Sequence, residues 1–190
     1  MAAYLGDWLE RRDAPATDLD LVVLLLNSLD LLADPADRLA SLTWFREVLT
    51  DVGRGDLARD LRAVDLGPLR DLRESLRAVF VAPAPAQAAT LLNPMLLGAG
   101  AVPQLVAAGA RLRLEVAPGQ RGLAALQARL PAALAEHVAR RGTTRLGTCA
   151  ASPCQCAFVD HTRGRTRRFC CAACNDRAAA RQYRQRQRRA

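Results

Sequence analysis

The sequence predicts a mainly α-helical chain in two parts: a helical N-terminal domain with a small β-hairpin, and a cysteine-rich module that ends in a basic helix. Three observations support this prediction. Apolar residues recur at helical spacing through most of residues 1–140. All six cysteines lie between Cys149 and Cys174. Residues 175–190 are mostly alanine, arginine and glutamine, which favour helices. We therefore expect domains at 1–140 and 145–190.

Hydrophobic periodicity, capping residues and helix breakers predict six helices in the N-terminal domain. Their expected ranges are Thr17–Leu29, Pro35–Thr50, Asp56–Val64, Pro68–Val81, Gln87–Leu97 and Gly122–Arg140. For the second helix, Asp34 is the expected N-cap and Pro35 the first-turn proline. The fourth helix is the most clearly amphipathic, with leucines facing inward and charged residues, including Arg73, facing solvent. The alternating segment Arg111–Val116 predicts a strand, paired in a small hairpin with residues 102–106 or with a nearby loop.

The most apolar segment of the N-terminal domain, LVVLLLNSLDLLA, contains two polar residues. Asn27 and Asp30 interrupt it, so no apolar run is long enough to cross a membrane. A buried asparagine must satisfy its hydrogen-bonding groups. Asn27 therefore either bonds another helix or loop backbone, or lines a pocket for a small-molecule effector. The N-terminus MAAYLGDWLERRD lacks the basic start and apolar run of a secretory signal, so we expect a cytoplasmic protein.

The cysteines form two close pairs with spacing typical of a metal site. The first pair has four intervening residues and the second three, and fifteen residues separate the pairs. Four thiolates complete the tetrahedral coordination of zinc, so the sequence predicts one structural Zn²⁺ ion. The preferred ligands are Cys149, Cys154, Cys170 and Cys174. Spacing alone also allows pairs that use Cys156 or Cys171, and an even number of cysteines also allows a disulfide framework.

The segment between the two pairs, CAFVDHTRGRTRRF, is expected to fold as a short hairpin that brings the pairs together. Phe158 and Phe169 would fill its small core. So short a module has little other core, and zinc binding would therefore supply much of its folding free energy, on the order of 10 kcal/mol. His161, in the same segment, is an alternative ligand that four cysteines make unnecessary.

Arginine is concentrated in the same region. The chain carries a formal charge of +8, but residues 141–190 hold twelve arginines and two aspartates, a net +10, and residues 1–140 sum to −2. A basic segment on a near-neutral body indicates a polyanionic partner, and arginine offers bidentate contacts to phosphate and to guanine. The expected nucleic-acid contacts are Arg163, Arg165, Arg167, Arg168, Arg177, Arg181, Arg184 and Arg188. The last four would share one face of the C-terminal helix.

The sequence contains no motif for catalysis. A glycine-rich phosphate loop, a nucleophile motif and paired carboxylates are all absent from it, so we expect that the protein is not an enzyme. Two interpretations of the basic zinc module remain. It binds DNA, with or without sequence preference, or it is a zinc-stabilised module that binds protein or RNA.

These residues resemble a known family. The shared pattern comprises the pair Cys149 and Cys154, the segment Phe158-Val159-Asp160-His161-Thr162, the run Arg167-Arg168-Phe169-Cys170, and Cys174-Asn175-Asp176-Arg177. It resembles the CGNR zinc-finger proteins, bacterial proteins regarded as stress-responsive transcription regulators, whose finger follows a helical domain called ABATE. The segments LDLVVLLLNSLD and DLLADPADRLASL look like the opening of that domain. The chain departs from the Cys-Gly-Asn-Arg pattern at two positions, since Asn175 stands where the family has glycine and Asp176 where it has asparagine.

The resemblance implies a treble-clef-like finger, made of a hairpin and a helix, that binds one zinc ion and DNA. It selects Cys170 over Cys171 as a ligand because Cys170 directly follows the aromatic residue, and it leaves Cys156 and Cys171 outside the pattern. The N-terminal domain would then sense a small-molecule effector or make a dimer. A two-fold symmetric homodimer is expected by analogy with many bacterial regulators.

Overall fold

The computed structural model describes residues 15–82 and 84–188, and within them the chain is mainly α-helical, as predicted. The helices are α1 (Asp18–Leu26), α2 (Leu42–Asp51), α3 (Gly55–Ala58), α4 (Leu66–Phe80), α5 (Pro85–Gly98), α6 (Gly122–Arg141) and α7 (Ala172–Gln187). The strands are β1 (Pro103–Ala108), β2 (Arg111–Val116), β3 (Leu146–Thr148) and β4 (Ala157–Val159). Among these residues, no helix combines the length and the apolar character that crossing a bilayer requires.

Helix α1 lies at the centre of the fold. It begins at a capping box, in which the Thr17 hydroxyl accepts the Asp20 N–H and the Asp20 carboxylate accepts the Thr17 N–H. Its apolar residues from Leu21 to Leu26 are nearly all buried, and it packs against α4, α6 and β4. Because α1 is buried on most of its sides, its sequence is a continuous apolar run and not an amphipathic pattern with one apolar stripe.

The second predicted helix begins about two turns later than expected. Asp34 and Pro35 do not start a helix, and the residues that follow form a bridge between Leu29 and Asp37. Asp37 accepts the N–H of Leu39 and begins a 3₁₀ turn, and α2 starts only at Leu42. The Asp37 carboxylate caps the short 3₁₀ turn and not a longer α-helix. The α-helix therefore begins only after that turn has ended.

The third predicted helix is also shorter than expected. Residues 56–64 were expected to be one helix, but they form the single turn α3, a break at residues 59–62, and a 3₁₀ turn at Ala63–Asp65. The Asp65 carboxylate accepts the N–H of Arg62 at 2.7 Å. Asp65 therefore stabilises the start of a separate 3₁₀ turn, and the predicted helix does not continue through residues 59–62.

The prediction that Arg73 faces solvent is wrong. Arg73 is 5% exposed, although it belongs to the charged set on α4 that we expected to face solvent. Its two terminal nitrogens donate to the Asp37 carboxylate at 2.7 and 3.1 Å, and one of them also donates to the Ser28 hydroxyl at 3.0 Å. Hydrogen bonds from Arg73 hold the pKa of Asp37 below its usual value. A buried guanidinium is tolerated here because its donors are matched.

The predicted hairpin is confirmed. Strand β2 pairs antiparallel with β1 in a register that places Leu105 opposite Leu114 and Ala108 opposite Arg111. The two-residue turn at Gly109 and Ala110 requires a left-handed residue, and Gly109 supplies it with φ of +62°. Helix α6 then follows over almost the predicted range and packs against α1 and α5.

The C-terminal module is packed onto the helical part. Strand β3 pairs antiparallel with β4, and the two contact α4 and α1 respectively. Ala157 and Val159 of β4 are buried in the main hydrophobic core, whereas Phe158 points to the cysteine cluster. A single three-residue strand therefore has side chains in both cores, because alternate residues of a strand face opposite sides.

Candidate zinc centre and nucleic-acid interface

Two local structures carry the four predicted ligands. Cys149 and Cys154 lie in the turn between β3 and β4, where the Cys149 N–H donates to the Cys156 carbonyl at 2.9 Å and the Cys154 N–H to the Ala151 carbonyl at 2.9 Å. Cys170 precedes α7 and Cys174 lies in its first turn, as the sequence predicts. The finger therefore holds one ligand pair on a strand turn and the other at a helix start.

The four sulfur atoms have the spacing that zinc requires. All four lie within 4.8 Å of one another, and the distances are 3.7 Å from Cys154 to Cys170 and 3.6 Å from Cys170 to Cys174. Zn–S bonds of about 2.3 Å in a tetrahedron give sulfur–sulfur separations of about 3.8 Å. The four residues are at most 8% exposed. The residues fit the ion, and this finger is positioned to bind one structural Zn²⁺.

Polar N–H groups surround the sulfur cluster. The Cys170 N–H lies 3.5 Å from the Cys149 sulfur, and an Arg177 guanidinium nitrogen lies 3.3 Å from the Cys174 sulfur. Zinc with four thiolates carries two net negative charges, so donors and cations close to the sulfurs stabilise it. Arg177 therefore has a place in the metal site as well as on the basic helix.

The thiols of Cys154, Cys156 and Cys170 are close enough to affect one another's ionisation. Hydrogen bonds from Cys156 and Cys170 lower the pKa of the Cys154 thiol, and the same hydrogen bond to Cys154 raises the pKa of Cys170. Burial raises the pKa of Cys174 to about 12. Zinc removes this mutual effect because a coordinating thiol is deprotonated, and binding the ion therefore releases protons.

The two remaining cysteines are buried beside the cluster. Cys171 is the N-cap residue of α7, and its sulfur lies 3.8 Å from that of Cys170. Cys156 is 3% exposed, and a hydrogen bond with Cys154 raises its pKa. Neither residue belongs to the group of four sulfurs within mutual reach. All six cysteines are free thiols, so the disulfide alternative has no support in this structure.

The predicted hairpin between the cysteine pairs is wrong. The finger's strands are Leu146–Thr148 and Ala157–Val159, which flank the first pair, and residues 160–171 form turns. Asp160 organises these turns: its carboxylate accepts the N–H and hydroxyl of Thr162 at 2.8 and 2.6 Å and the Arg167 N–H at 3.0 Å. Burial alone would raise the pKa of Asp160, but these hydrogen bonds hold it below its usual value. The backbone N–H groups that a second strand would have used are bonded to this carboxylate instead.

The predicted arginines fall into two groups around the finger. Arg177, Arg181, Arg184 and Arg188 are exposed along α7 and its C-cap, with the spacing of one helix face. Arg163, Arg165 and Arg168 are exposed on the turns of residues 160–171. Arg168 lies over the Phe169 ring at 5.7 Å, and Arg165 donates to the Thr144 hydroxyl at 3.3 Å.

Arg167 differs from the other seven. It is only partly exposed, and its guanidinium lies 5.0 Å from the Phe158 ring centre. It also donates to the Phe169 carbonyl at 3.0 Å and to the Cys170 carbonyl. These bonds hold the backbone next to a zinc ligand. The net charge of the segment does not predict this role, because it counts all arginines alike. Arg145, which lies outside the predicted set of nucleic-acid contacts, similarly donates to the carbonyls of Asp160 and Thr162 at 3.0 and 2.7 Å.

Asn27 connects the helical part to the finger. It is 0% exposed at the end of α1. Its amide nitrogen donates to the Ala157 carbonyl at 2.9 Å, and its amide oxygen accepts the Ala157 N–H at 2.7 Å. The structure therefore favours backbone hydrogen bonding over the effector pocket among the two interpretations of this residue.

The fold and the site define a class: a zinc-finger protein in which a helical domain with a β-hairpin is followed by a treble-clef-like four-cysteine finger. Residues 19–148 match the ABATE family, described as "putative stress-induced transcription regulator", and residues 145–187 match the CGNR zinc finger. The chain belongs to the ABATE family and ends in a CGNR zinc finger, which confirms the expected resemblance. Neither is a family of enzymes. A comparison with curated proteins finds no match.

Proposed function

We propose that this protein is a cytoplasmic transcription regulator that binds DNA sequence-specifically through its zinc finger. The observation that supports this proposal best is the basic face of α7, which begins at two zinc ligands. Its arginines from Arg177 to Arg188 are spread over eleven residue steps, about 17 Å along the helix axis. The metal would fix the helix start, so the helix would enter the major groove or follow the phosphates in one orientation.

A second basic edge supports the same interface. Arg163, Arg165 and Arg168 extend from turns that the Asp160 carboxylate holds in place. We assign Arg167 to positioning the finger backbone, since its donors are bonded to the Phe169 and Cys170 carbonyls. The proposed DNA contacts are then the other seven arginines of the predicted set.

Selection from genomic DNA fragments at moderate salt tests the proposal, with the zinc-loaded protein compared with a Cys170→Ser/Cys174→Ser variant. We expect one zinc ion per chain and an enriched sequence that the variant does not select. Zinc loading with no enriched sequence would refute sequence-specific DNA binding and favour a protein or RNA partner.

The salt dependence of affinity adds a quantitative test. Neutralising about five phosphates predicts a slope of log K against log salt near −4.5. Replacing Arg181 and Arg184 by alanine should reduce its magnitude by about 2, roughly 0.9 for each lost phosphate contact. An Arg59→Ala/Arg140→Ala variant, which removes the same charge from exposed sites on the helical part, should keep the original slope. Equal slopes for the two variants would contradict the assigned interface.

We also propose a place for a small-molecule effector. A cleft of about 470 Å³ lies between the start of α1, the end of β2 and the C-terminal half of α6. It is lined by Asp18, Glu115, Arg129 and His137, which suit a small ligand with charges of both signs. The Nε2 atom of His137 has no hydrogen-bond partner among the described residues. Ligands from a thermal-shift screen of zwitterionic metabolites should lose their effect in a His137→Phe variant, and an undiminished effect would rule out this cleft.

A further inference from the structure

The β1–β2 hairpin presents an apolar face to solvent. Residues opposite each other in an antiparallel pair have their side chains on the same side. One side of this hairpin carries the pairs Pro103 with Val116, Leu105 with Leu114, and Ala107 with Leu112. The three leucines are 67%, 70% and 67% exposed for Leu105, Leu114 and Leu112. This side contains no polar residue at all in the register of the strands.

A sheet that packs on the core of its own chain turns its apolar side inward, whereas this hairpin turns its apolar side to solvent. The charged residues Arg111, Arg113 and Glu115 lie on the side opposite the leucines, and Arg113 and Glu115 form an ion pair there. A two-stranded hairpin alone is marginally stable in water, and its apolar face usually packs on something. Val102 and Leu97, just before the hairpin, are also exposed, at 57% and 83%.

We propose that this leucine face, defined as Leu105, Leu112 and Leu114, is the interface of a homodimer in which the hairpins of two copies pack face to face. Together with Pro103, Ala107 and Val116 on the same side, these leucines expose on the order of 500 Å² per copy. That gives roughly 1,000 Å² in a pair of copies, about the area that a specific interface needs. The area is also in the upper part of the range for the largest apolar patch of a typical monomer.

A second copy fits this face better than other partners do. A two-fold interface uses the same patch on both subunits, so the patch must be complementary to itself. An uncharged leucine face meets this condition, since no like charges are brought together. Nucleic acid is a poor partner here because the face offers phosphate no cation or hydrogen-bond donor. The dimer would carry two fingers, but the proposal does not depend on DNA binding, and its test uses no DNA.

Sedimentation equilibrium of the full-length, zinc-loaded protein tests the interface. We expect a mass of twice the 20.5 kDa chain. A Leu105→Glu/Leu114→Glu variant should sediment as one chain, with its dimer dissociation constant raised at least about 100-fold because each glutamate would have to be buried unpaired. The matched control is Val64→Glu/Val81→Glu, which alters two valines exposed elsewhere, at 70% and 62%, and should remain a dimer. A wild type of one chain mass at its highest soluble concentration, or a leucine variant that stays dimeric, would overturn the proposal.

Hydrogen exchange gives an independent measurement in the unmodified protein, which is needed if the glutamate variant does not fold. Backbone amides of residues 103–116 should exchange more slowly as protein concentration rises, since dimerisation reduces opening of the hairpin. Amides of α4 serve as the internal reference and should show a much smaller dependence. Exchange of the hairpin that is independent of concentration across the dissociation range would count against the interface.

Discussion

Replacing Asn27 by alanine should destabilise the whole protein, because this side chain bonds two buried backbone groups of the finger. Ala157, which is 1% exposed, would lose the acceptor of its N–H and the donor to its carbonyl. Each buried group left unpaired costs about 1–3 kcal/mol, so the sum lies between about 2 and 6 kcal/mol. A water molecule entering the vacated space would move the value to the lower half, and we expect about 2–4 kcal/mol.

Urea unfolding at a fixed excess of zinc measures this change, with tryptophan fluorescence as the signal. With an m value of about 2 kcal/mol per molar urea, the midpoint should fall by roughly 1–2 M. Asn93→Ala is the matched control, since Asn93 is exposed on α5 and its replacement should change the unfolding free energy by less than about 0.5 kcal/mol.

The difference in unfolding free energy between Asn27→Ala and Asn93→Ala tests the role of the Asn27 side chain. If the two alanine variants unfold within about 0.5 kcal/mol of each other, the hydrogen bonds from α1 to β4 do not hold the finger to the helical part. A fall in stability without a change in zinc affinity would limit the role of Asn27 to the folded core. We expect zinc to dissociate faster from Asn27→Ala as well, since Ala157 is three residues beyond a zinc ligand.

Three further predictions concern the metal, pH and packing. Cys174→Ser should lower the zinc content measured by mass spectrometry from one ion per chain to well below one, since three sulfurs do not close the tetrahedron. Asp37→Asn should cost about 1–3 kcal/mol at pH 7, because the buried Arg73 then keeps only one charged partner, Glu74, which accepts from its Nε at 2.9 Å. The Asp37 pKa is lowered in the fold, so its contribution is present above pH ~4 and is lost as pH falls further; the wild type and variant should therefore converge in acid unfolding experiments. Gly147→Ala should cost about 1–3 kcal/mol and weaken zinc binding, because its Cβ would lie 2.6 Å from the Phe158 ring. Unchanged zinc affinity in calorimetry would refute that last prediction.

The parts of this structure that the sequence predicts are those with local signals. The ligand spacing around Cys149 and Cys170 identified the metal site, and the helical repeat of Leu69 to Phe80 identified α4. The arginine repeat after Cys174 identified α7. In each case the residues that determine the structure are neighbours along the chain, so periodicity and spacing are sufficient.

The parts that the sequence did not predict depend on contacts between distant residues. Arg73 is buried because Asp37, thirty-six positions away, accepts two of its hydrogen bonds. Asn27 bonds a residue 130 positions away, which no local pattern reveals. The Asp34–Pro35 pair has the signature of a helix start, but the carboxylate of Asp37 is used by Leu39 and Arg73 instead. In each case the folded geometry decides which partner a polar side chain bonds, and the local sequence pattern does not reveal that partner.

The position of β4 in two cores has a consequence for how the protein can be divided. A fragment that starts at residue 145 would expose Ala157 and Val159, and a fragment that stops there would uncover the end of α1 at Asn27. We therefore expect that neither half is an autonomous folding unit, although two family matches meet near residue 145. Loss of zinc would then lower the cooperativity of unfolding of the helical half as well. The metal would thus stabilise the entire chain and not only the finger.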